Sequence, residues 1–375
     1  MTSVRALLIG AAAVALTAGP GMAVPAVAQE IAIGAVLPLS GVNATIGEDQ
    51  RRGITLALEE INAEGGVLGQ PFSVIIEDSG GRAQTAIDAA TKLVTVDQAP
   101  IVIGEYSSGN TLPMGQYLVQ QGVPHINPAS TSGQIRDIGE TSFSVVGLDN
   151  VSTAFAAQDV LDQGWNSVAV FAMNNAFGQG VAEEFAEHFT ALGGEITTSL
   201  LYNTGQSTYR RELQQLAAGT PDAIVYTAYG TEGAIINQEA FELGLQDEFP
   251  FYSILMTMMN SDTEAQFKVG QIGMDVGYIG GNGGSYRDAY MAEYGEDLLS
   301  AYGGYAHDAV LLAAAAIERA GSTDSQAILA ALAELGVEGF EGATGTINFD
   351  EERQRTEQPY LKFITDGDDL AVREE

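Results

Sequence analysis

Short apolar runs alternate along this chain with longer segments in which apolar residues recur every three or four positions. Residues 31–38 form such a run, which is typical of a buried strand. In residues 48–63, Ile54, Leu58 and Ile61 fall on one face of a helix. A strand followed by a helix, repeated along the chain, predicts a parallel sheet covered by helices on both faces.

The same order continues, with a break at the polar residues 148–150 and a glycine-dense stretch at 280–284 that predicts a hinge or loose loop. Further strands are predicted at residues 72–77, 101–103, 125–127, 143–146, 167–171, 196–201, 223–228 and 251–255. Helices are predicted at residues 85–96, 111–121, 151–163, 180–192, 208–218, 231–243, 308–319 and 325–335. Residues 346–350 and 359–364 predict a late hairpin. The fold class is therefore α/β, with two similar halves in series.

The first 28 residues have the pattern of a secretory signal peptide. Arg5 precedes an uninterrupted apolar run at residues 6–18, and the small residues Ala26-Val27-Ala28 form a cleavage site. The run is shorter than the ~20 residues of a membrane-spanning helix. A retained anchor is disfavoured because no cysteine that could carry a lipid follows the run. We expect an exported, periplasmic protein that begins near Gln29 and has no stable membrane insertion.

The composition is strongly acidic. The chain has 49 Asp and Glu against 15 Lys and Arg, and losing Arg5 with the signal peptide takes the formal charge from −34 to −35. Such a field repels nucleic acid and anionic lipid, so neither is an expected partner. The chain has no cysteine, so its fold rests on a hydrophobic core and not on disulfides. Its length of 375 residues suits two lobes.

Motifs of catalysis and of cofactor binding are absent from the sequence. It has no G-x-x-x-x-G-K-[ST] segment, no G-x-G-x-x-G after a strand and no G-x-S-x-G elbow. His125, His188 and His307 stand far apart, without the spacing of a zinc site. Residues 366–369 resemble part of a calcium loop but lack its full frame and its distal glutamate. We expect a protein that is not an enzyme and needs no metal or cofactor.

Two loops rich in hydroxyl groups follow neighbouring predicted strands. Residues 105–111 include Ser107 and Ser108 and lead into a helix, and residues 127–132 offer further hydroxyls and carbonyls. Open α/β sheets bind ligands at the carboxyl ends of their strands, and a helix start favours a carboxylate. Simple N-capping by serine or threonine is the structural alternative for each loop. Two successive loops of the same chemistry favour a ligand site.

Residues 33–41 and the helix end at residues 61–69 resemble the start of the periplasmic branched-chain amino-acid-binding proteins, the receptors of ATP-driven importers. Later blocks match the same family in order, at residues 103–108, 126–131, 175–180, 305–310 and 349–350. The resemblance spans nearly the whole chain after the signal peptide.

The resemblance implies a type I periplasmic binding protein fold, in which two doubly wound parallel-sheet lobes are joined by three crossover segments. It implies crossovers near residues 148–150, 277 and 348–350. The expected division is lobe 1 at residues 29–148 and 277–348, and lobe 2 at residues 149–276 and 349–375.

In similar proteins the first lobe holds the ligand's carboxylate and amine, and the second lobe covers the ligand with aromatic rings. The resemblance places the first role on Ser108, Ala129 and Thr131. It places the second on Phe177, Tyr229 and Tyr302, and the structural alternative for each of these rings is an ordinary core aromatic. The full set of expected ligand-binding residues is Ser107, Ser108, Ala129, Ser130, Thr131, Asp149, Phe177, Tyr229 and Tyr302.

Two departures from the family's pattern bear on the ligand. The acid that often meets the ligand's ammonium in relatives is replaced here by Leu255 or Met256, and an aromatic that packs on the ligand is Ile46. Asp149 or Glu105 could supply the missing acid. If neither does, the resemblance favours a ligand with a carboxylate or amide and no amine.

We therefore expect a monomeric receptor that captures a branched-chain or similar apolar amino acid and delivers it to the membrane permease of an ABC importer. One alternative is a receptor of the same class for an aromatic acid, an amide or urea. Another is a ligand sensor for a signalling partner. A secreted hydrolase is disfavoured, because no two acids lie in a recognisable catalytic frame.

Overall fold

A computed structural model describes residues 30–277, 284–367 and 369–373. The predicted signal peptide at residues 1–28 and most of the glycine-dense stretch at 280–284 lie outside the described residues. Within those residues, no helix has both the length and the apolar character needed to cross a bilayer.

The described residues form strands and helices in the alternating order that the sequence predicts. The strands are β1 (Ile31–Leu37), β2 (Phe72–Asp78), β3 (Val102–Gly104), β4 (His125–Asn127), β5 (Ser142–Ser144), β6 (Ser167–Met173), β7 (Glu195–Tyr202), β8 (Ala223–Tyr226), β9 (Phe251–Ile254), β10 (Ile272–Val276), β11 (Phe340–Gly342), β12 (Gly345–Ile347), β13 (Tyr360–Asp366) and β14 (Asp369–Val372). The helices are α1 (Ala44–Ala63), α2 (Ala83–Thr95), α3 (Ser108–Gln121), α4 (Asp149–Asp162), α5 (Ala176–Ala191), α6 (Arg210–Ala217), α7 (Gly230–Glu242), α8 (Leu245–Glu248), α9 (Met256–Asn260), α10 (Gly284–Tyr294), α11 (Tyr302–Ala320) and α12 (Ser325–Glu338).

A first sheet has the strand order β2-β1-β3-β4-β5, and all its neighbouring strands are parallel. We call this sheet and the helices packed on it the first lobe. Helix α11 returns from late in the chain to pack against α1 and β3. A Cβ added at Gly53 of α1 would lie 1.9 Å from the Gly303 carbonyl of α11, so only glycine permits this close crossing.

A second sheet has the order β14-β13-β10-β9-β8-β6-β7, and we call it with its helices the second lobe. Its strands pair in parallel, except that β13 runs antiparallel to β10 and to β14. Strands β6 and β8 are almost fully buried, which is expected for parallel strands covered on both faces. The α/β class with two parallel-sheet units is confirmed.

The predicted late hairpin is wrong in its partner strands. Strand β12 pairs with β11, whereas β13 pairs with β10 and β14. The segment between them folds back on the first lobe, where Gln354 bridges to Ser144. Arg355 holds it there by donating to the backbone carbonyls of Val145 and Thr344, at 2.9 and 2.8 Å. A strand pattern shows that a strand exists and does not show which strand it meets.

The predicted boundaries of the two lobes remain a prediction. Strands β10 and β13 lie in the second sheet, and residues 302–338 pack on the first. The bridge from Gln354 to Ser144 favours placing residues 349–355 with the first lobe, several residues beyond the expected boundary.

Buried Asp49 ties α1 to the start of α11. Its carboxylate accepts hydrogen bonds from Ser300 Oγ at 2.6 Å, the Gly303 amide at 2.8 Å and Tyr290 Oη at 3.0 Å. Burial raises the pKa of Asp49 to about 6, because the charged form is disfavoured away from water, and these donors offset only part of that rise.

Asp275 has a similar role in the second lobe. It accepts from the amide and the hydroxyl of Thr257 at 2.7 and 2.8 Å and from the Val276 amide at 2.7 Å, which joins β10 to α9. Burial raises the pKa of Asp275 to about 6.

The raised pKa values of Asp49 and Asp275 predict that the protein becomes more stable on mild acidification. A carboxylate whose pKa is higher in the folded state than in the unfolded state binds more protons when folded, so the free energy of unfolding rises as the pH falls from 7.5 to 5.5. We expect the midpoint of thermal unfolding to increase by about 2 °C or more. Asp275→Asn should flatten this dependence, and a midpoint that falls steadily over the same range would contradict the prediction.

Candidate ligand-binding cleft between the two lobes

Loops at the carboxyl ends of strands from both lobes meet in one cleft. Ser107 follows β3 of the first lobe, and Tyr229 follows β8 of the second. The Ser107 hydroxyl lies 3.0 Å from the Tyr229 hydroxyl, although 122 residues separate them in the chain. The two lobes are therefore in direct contact across the cleft, at the edge where open α/β sheets bind ligands.

The two hydroxyl-rich loops lie side by side in the first lobe. Ser107 occupies the N-cap position of α3, yet its side chain makes no capping hydrogen bond and points to Tyr229 instead. Ser108 Oγ accepts from the Ser132 amide at 3.3 Å, which joins the two loops. Simple N-capping therefore does not account for Ser107.

Two of the expected residues are partly engaged within the first lobe. The Ser130 hydroxyl contacts Thr111 Oγ1 at 2.6 Å and donates to the Tyr106 carbonyl at 3.0 Å. The Ala129 amide donates to the side-chain oxygen of Asn127 at 3.2 Å. Ser130 thus holds the loops together, and the Ala129 amide already has an acceptor.

Asp149 lies between the lobes at the first residue of α4. Its amide donates to the Thr131 carbonyl at 2.6 Å, and its side chain is fully buried. A Cβ added at Gly180 of α5 would lie 3.2 Å from Asp149 Oδ2 and 3.6 Å from Ser132 Oγ. The carboxylate is therefore placed against both a first-lobe loop and a second-lobe helix.

Neither carboxylate oxygen of Asp149 has a hydrogen-bond partner of good geometry among the described residues. Burial raises its pKa well above the usual range, because the charged form is disfavoured away from water. The nearby Thr131 hydroxyl lowers the pKa in part without reaching the geometry of a hydrogen bond, and the charge of Glu184 raises it further.

The other expected substitute for the missing acid, Glu105, is well supplied with donors. It accepts from Ser79 Oγ at 2.6 Å, the Ser107 amide at 2.7 Å and Asn110 Nδ2 at 3.2 Å. These bonds shape the loop that carries Ser107. Of the buried acids Glu105, Asp149 and Asp275, Asp149 is the one whose two oxygens both lack partners within the described part of the chain.

Aromatic rings form one wall of the cleft. Phe177 and Tyr229 are stacked, with ring centroids 5.9 Å apart and an angle of 14° between planes. Tyr106 lies 5.3 Å from Tyr229 and 5.2 Å from Tyr302, so it connects the rings that the sequence predicts. Tyr302 begins α11, which packs on the first lobe, so the rings come from both lobes and the expectation that the second lobe supplies all of them is wrong. Tyr106 is not among the residues predicted from the sequence, although its position directly before Ser107 in a predicted ligand loop is a usable signal.

The two positions that depart from the family pattern are apolar and buried. Ile46 is 1% exposed in α1, and Leu255 is 4% exposed just before α9. Leu255 has a left-handed backbone conformation with φ of 59°. No acid is therefore available at position 255.

Comparison with known proteins agrees with this architecture. A family model described as a periplasmic binding protein matches residues 30–365. The chain belongs to the periplasmic binding protein family. The family resemblance seen in the sequence and the type I periplasmic binding protein fold are thereby confirmed.

Named relatives and solved structures of this family cover nearly the whole chain. A Leu/Ile/Val-binding protein homolog 1 of Brucella abortus is 25% identical over 86% of both chains, and the Leu/Ile/Val-binding protein BraC3 of Rhizobium johnstonii is 26% identical over 93% of this chain and 95% of its own. The LivJ substrate-binding protein of Streptococcus pneumoniae in complex with isoleucine has a TM-score of 0.81 at 24% identity, covering 92% of this chain and 100% of its own. A Rhodopseudomonas palustris solute-binding protein in complex with benzoate has a TM-score of 0.81 at 18% identity, covering 92% of this chain and 95% of its own.

The contrast between Asp149 and Glu105 predicts opposite effects on stability. Asp149→Asn replaces a buried carboxyl group that has no hydrogen-bond partner of good geometry, so the urea midpoint at pH 7 should stay the same or rise. Glu105→Gln places an amide where three donors converge, which should lower the free energy of unfolding by about 1–3 kcal/mol. A loss of stability for Asp149→Asn as large as that for Glu105→Gln would show that the Asp149 carboxylate has partners after all.

Proposed function

We propose that this protein is an exported solute receptor that captures a small α-amino acid in the cleft and delivers it to the permease of an ABC importer. A branched-chain or similar apolar amino acid is the first choice. The observation that carries the proposal is the buried carboxylate of Asp149, which lacks a partner of good geometry and lies beside a loop rich in hydroxyls. Export through the signal peptide, periplasmic location and a monomeric state are part of the same proposal.

The carboxylate of the ligand has uncharged donors in the first lobe. Ser108 and Thr131 contribute hydroxyls beside the start of α3, whose free amides and dipole favour an anion. An amino acid is a zwitterion with no net charge, so the acidic protein does not repel it as a whole. Neutral donors then suffice to orient the anionic end of the ligand.

The ammonium group of the ligand would be held by Asp149. An ammonium near this carboxylate supplies the donors that the described residues do not, and it also lowers the carboxylate's pKa. A hydrogen bond to a charged group contributes about 1.5–3 kcal/mol. Asp149 thus stands in for the acid that Leu255 replaces in the family pattern.

The side chain of the ligand would face the rings of Phe177, Tyr229 and Tyr302. Each buried CH₂ contributes about 0.8 kcal/mol to binding. The names of two relatives, which are Leu/Ile/Val-binding proteins, and the isoleucine complex of the LivJ structure support this choice for a chain of the same family.

An aromatic carboxylate is the second candidate. It is favoured by the apolar Leu255, by the aromatic wall and by the benzoate complex of a structure with the same fold. The raised pKa of Asp149 would let a protonated carboxyl donate to the ligand's carboxylate. The two candidates therefore require different charge states of Asp149. The amino acid requires the charged carboxylate, and the aromatic carboxylate requires the protonated carboxyl.

A substitution that removes the charge of Asp149 distinguishes the amino acid from the aromatic carboxylate. Asp149→Asn should weaken isoleucine binding by about 10- to 100-fold, because the ammonium loses a charged acceptor. Isothermal titration with isoleucine and with benzoate measures the effect, and Glu183→Gln, on the exposed surface of α5, is the matched control. If the natural protein binds isoleucine and Asp149→Asn binds it equally well, Asp149 does not hold the ammonium. If benzoate binds the natural protein and no amino acid does, the second candidate holds.

Removing the hydroxyls of Ser108 and Thr131 tests how the ligand's carboxylate is held. The double variant Ser108→Ala and Thr131→Ala should abolish the thermal shift that isoleucine produces. An excess of 100 times the dissociation constant would otherwise add about 2.7 kcal/mol of stability. The urea midpoint without ligand is the control for folding. An unchanged affinity for isoleucine in the double variant would refute the placement of the carboxylate.

Two hydrogen bonds at the rim of the cleft join the two lobes. Thr45 Oγ1 of the first lobe donates to Asp262 at 2.8 Å, and Thr231 Oγ1 of the second donates to the Val42 carbonyl at 3.2 Å. Thr231 Oγ1 also lies 3.3 Å from Asp262 Oδ2, which is a contact within the second lobe. The two bonds between the lobes exist only when the cleft is shut, so they favour the closed form that a ligand selects.

Asp262→Ala should therefore weaken isoleucine binding without touching the ligand. Losing the hydrogen bond from Thr45, worth about 0.5–1.5 kcal/mol, predicts a threefold to tenfold weaker affinity, seen mainly as faster release. Stopped-flow fluorescence measures the release rate. A variant that releases isoleucine at the natural rate would show that the rim contacts do not contribute to closure.

A further inference from the structure

Helix α5 contains a glycine, Gly180, that neither its backbone conformation nor its backbone packing requires. Gly180 lies inside the helix without a positive φ, and glycine inside a helix is less stable than alanine. Two residues earlier, Gly178 is explained by packing, because a Cβ there would lie 2.2 Å from the Met173 carbonyl oxygen. Outside the backbone of α5, a Cβ at Gly180 would meet within 4 Å only two side-chain atoms of the described residues, Asp149 Oδ2 and Ser132 Oγ.

The space beside Gly180 adjoins a carboxylate oxygen that lacks a partner. Asp149 Oδ2 is buried and has no hydrogen-bond partner of good geometry within the described part of the chain. A nitrogen donor bonds an oxygen from about 2.7–3.2 Å. A methyl carbon at Gly180 would lie 3.2 Å from Asp149 Oδ2 and would take space that such a donor needs.

The same face of α5 borders the ligand cleft. Phe177, three residues before Gly180, stacks on Tyr229 in the aromatic wall. A Cβ at Gly180 would also lie 3.6 Å from Ser132 Oγ in the hydroxyl-rich loop of the first lobe. Gly180 therefore lies where α5, Asp149 and the first lobe come together.

We propose that Gly180 is a specificity-determining residue, which leaves one side of the Asp149 carboxylate open to the ammonium group of an amino acid. This inference rests on the proposed function and names the position that gives the ligand's ammonium access to Asp149. A side chain at position 180 would remove the preference of the receptor for ligands that carry an ammonium group. The helix stability lost to glycine is then the cost of that access.

A pair of ligands that differ only in the amino group tests this role. Isothermal titration compares isoleucine with its deaminated analogue, the carboxylic acid that lacks only the amino group. The natural protein should bind isoleucine at least about tenfold more tightly, because a hydrogen bond to a charged group is lost in the analogue. Gly180→Ala should reduce this ratio to about threefold or less. Glu183→Ala, on the exposed surface of the same helix, is the control and should leave the ratio unchanged.

The thermal midpoint of the free protein is the check on folding. Gly180→Ala should not lower it, because alanine favours a helix over glycine. If the alanine variant fails to fold, Gly180→Ser replaces it. The serine hydroxyl is a donor that occupies the same side of the Asp149 carboxylate, so this variant should reduce the ratio as well.

A double-mutant cycle shows whether Gly180 acts through Asp149. Asp149→Asn already lacks the charge that holds the ammonium, so adding Gly180→Ala to it should change the affinity for isoleucine by less than about twofold. A methyl group that only hinders closure would instead weaken both ligands alike and add its full effect to that of Asp149→Asn.

The outcomes separate this inference from the proposed function. An unchanged ratio in a folded variant at position 180, or additive effects in the cycle, would overturn the role of Gly180. The proposed function would then still stand if Asp149→Asn weakens isoleucine binding. No binding of isoleucine by the natural protein would overturn both. A reduced ratio together with non-additive effects supports the assignment of Gly180.

Discussion

A carboxylate buried without hydrogen-bond donors is among the most costly groups a fold can contain, and here Asp149 places one where the two lobes meet. Its position follows from topology. The three crossovers of a type I periplasmic binding protein bring the chain from one sheet to the other, and α4 begins at that passage with Asp149 as its first residue. The backbone bond from Asp149 to Thr131 then fixes the acid beside the hydroxyl-rich loops of the first lobe.

The other buried acids differ from Asp149 because the protein supplies them with hydrogen-bond donors. Asp49, Glu105 and Asp275 each accept hydrogen bonds from neighbouring amides and hydroxyls, and each of them joins elements of the scaffold. The difference lies in the number of donors and not in the depth of burial. The chain carries a formal charge of −34, and a zwitterion, having no net charge, is not repelled by it as a whole.

Closure couples this chemistry to the shape of the molecule. Ser107 contacts Tyr229 across the cleft, and at its rim Thr45 contacts Asp262 and Thr231 contacts Val42. A ligand that contacts both lobes adds its free energy only to the closed form, so binding and closure are one equilibrium. A permease that distinguishes closed from open receptors would detect whether a ligand is bound without contacting the ligand.

The sequence by itself determined the class of fold, because the spacing of apolar residues follows from the periods of strands and helices. It also placed Ser107 and Tyr229 just after predicted strands, at the ends where open α/β sheets bind ligands. Only the tertiary structure decided which strands pair, as the wrong late hairpin shows. Only tertiary structure separated Asp149 from Glu105, or revealed Tyr106 among the rings. The partners of a buried polar group come from distant parts of the chain, so the pattern of residues along the sequence does not show which they are.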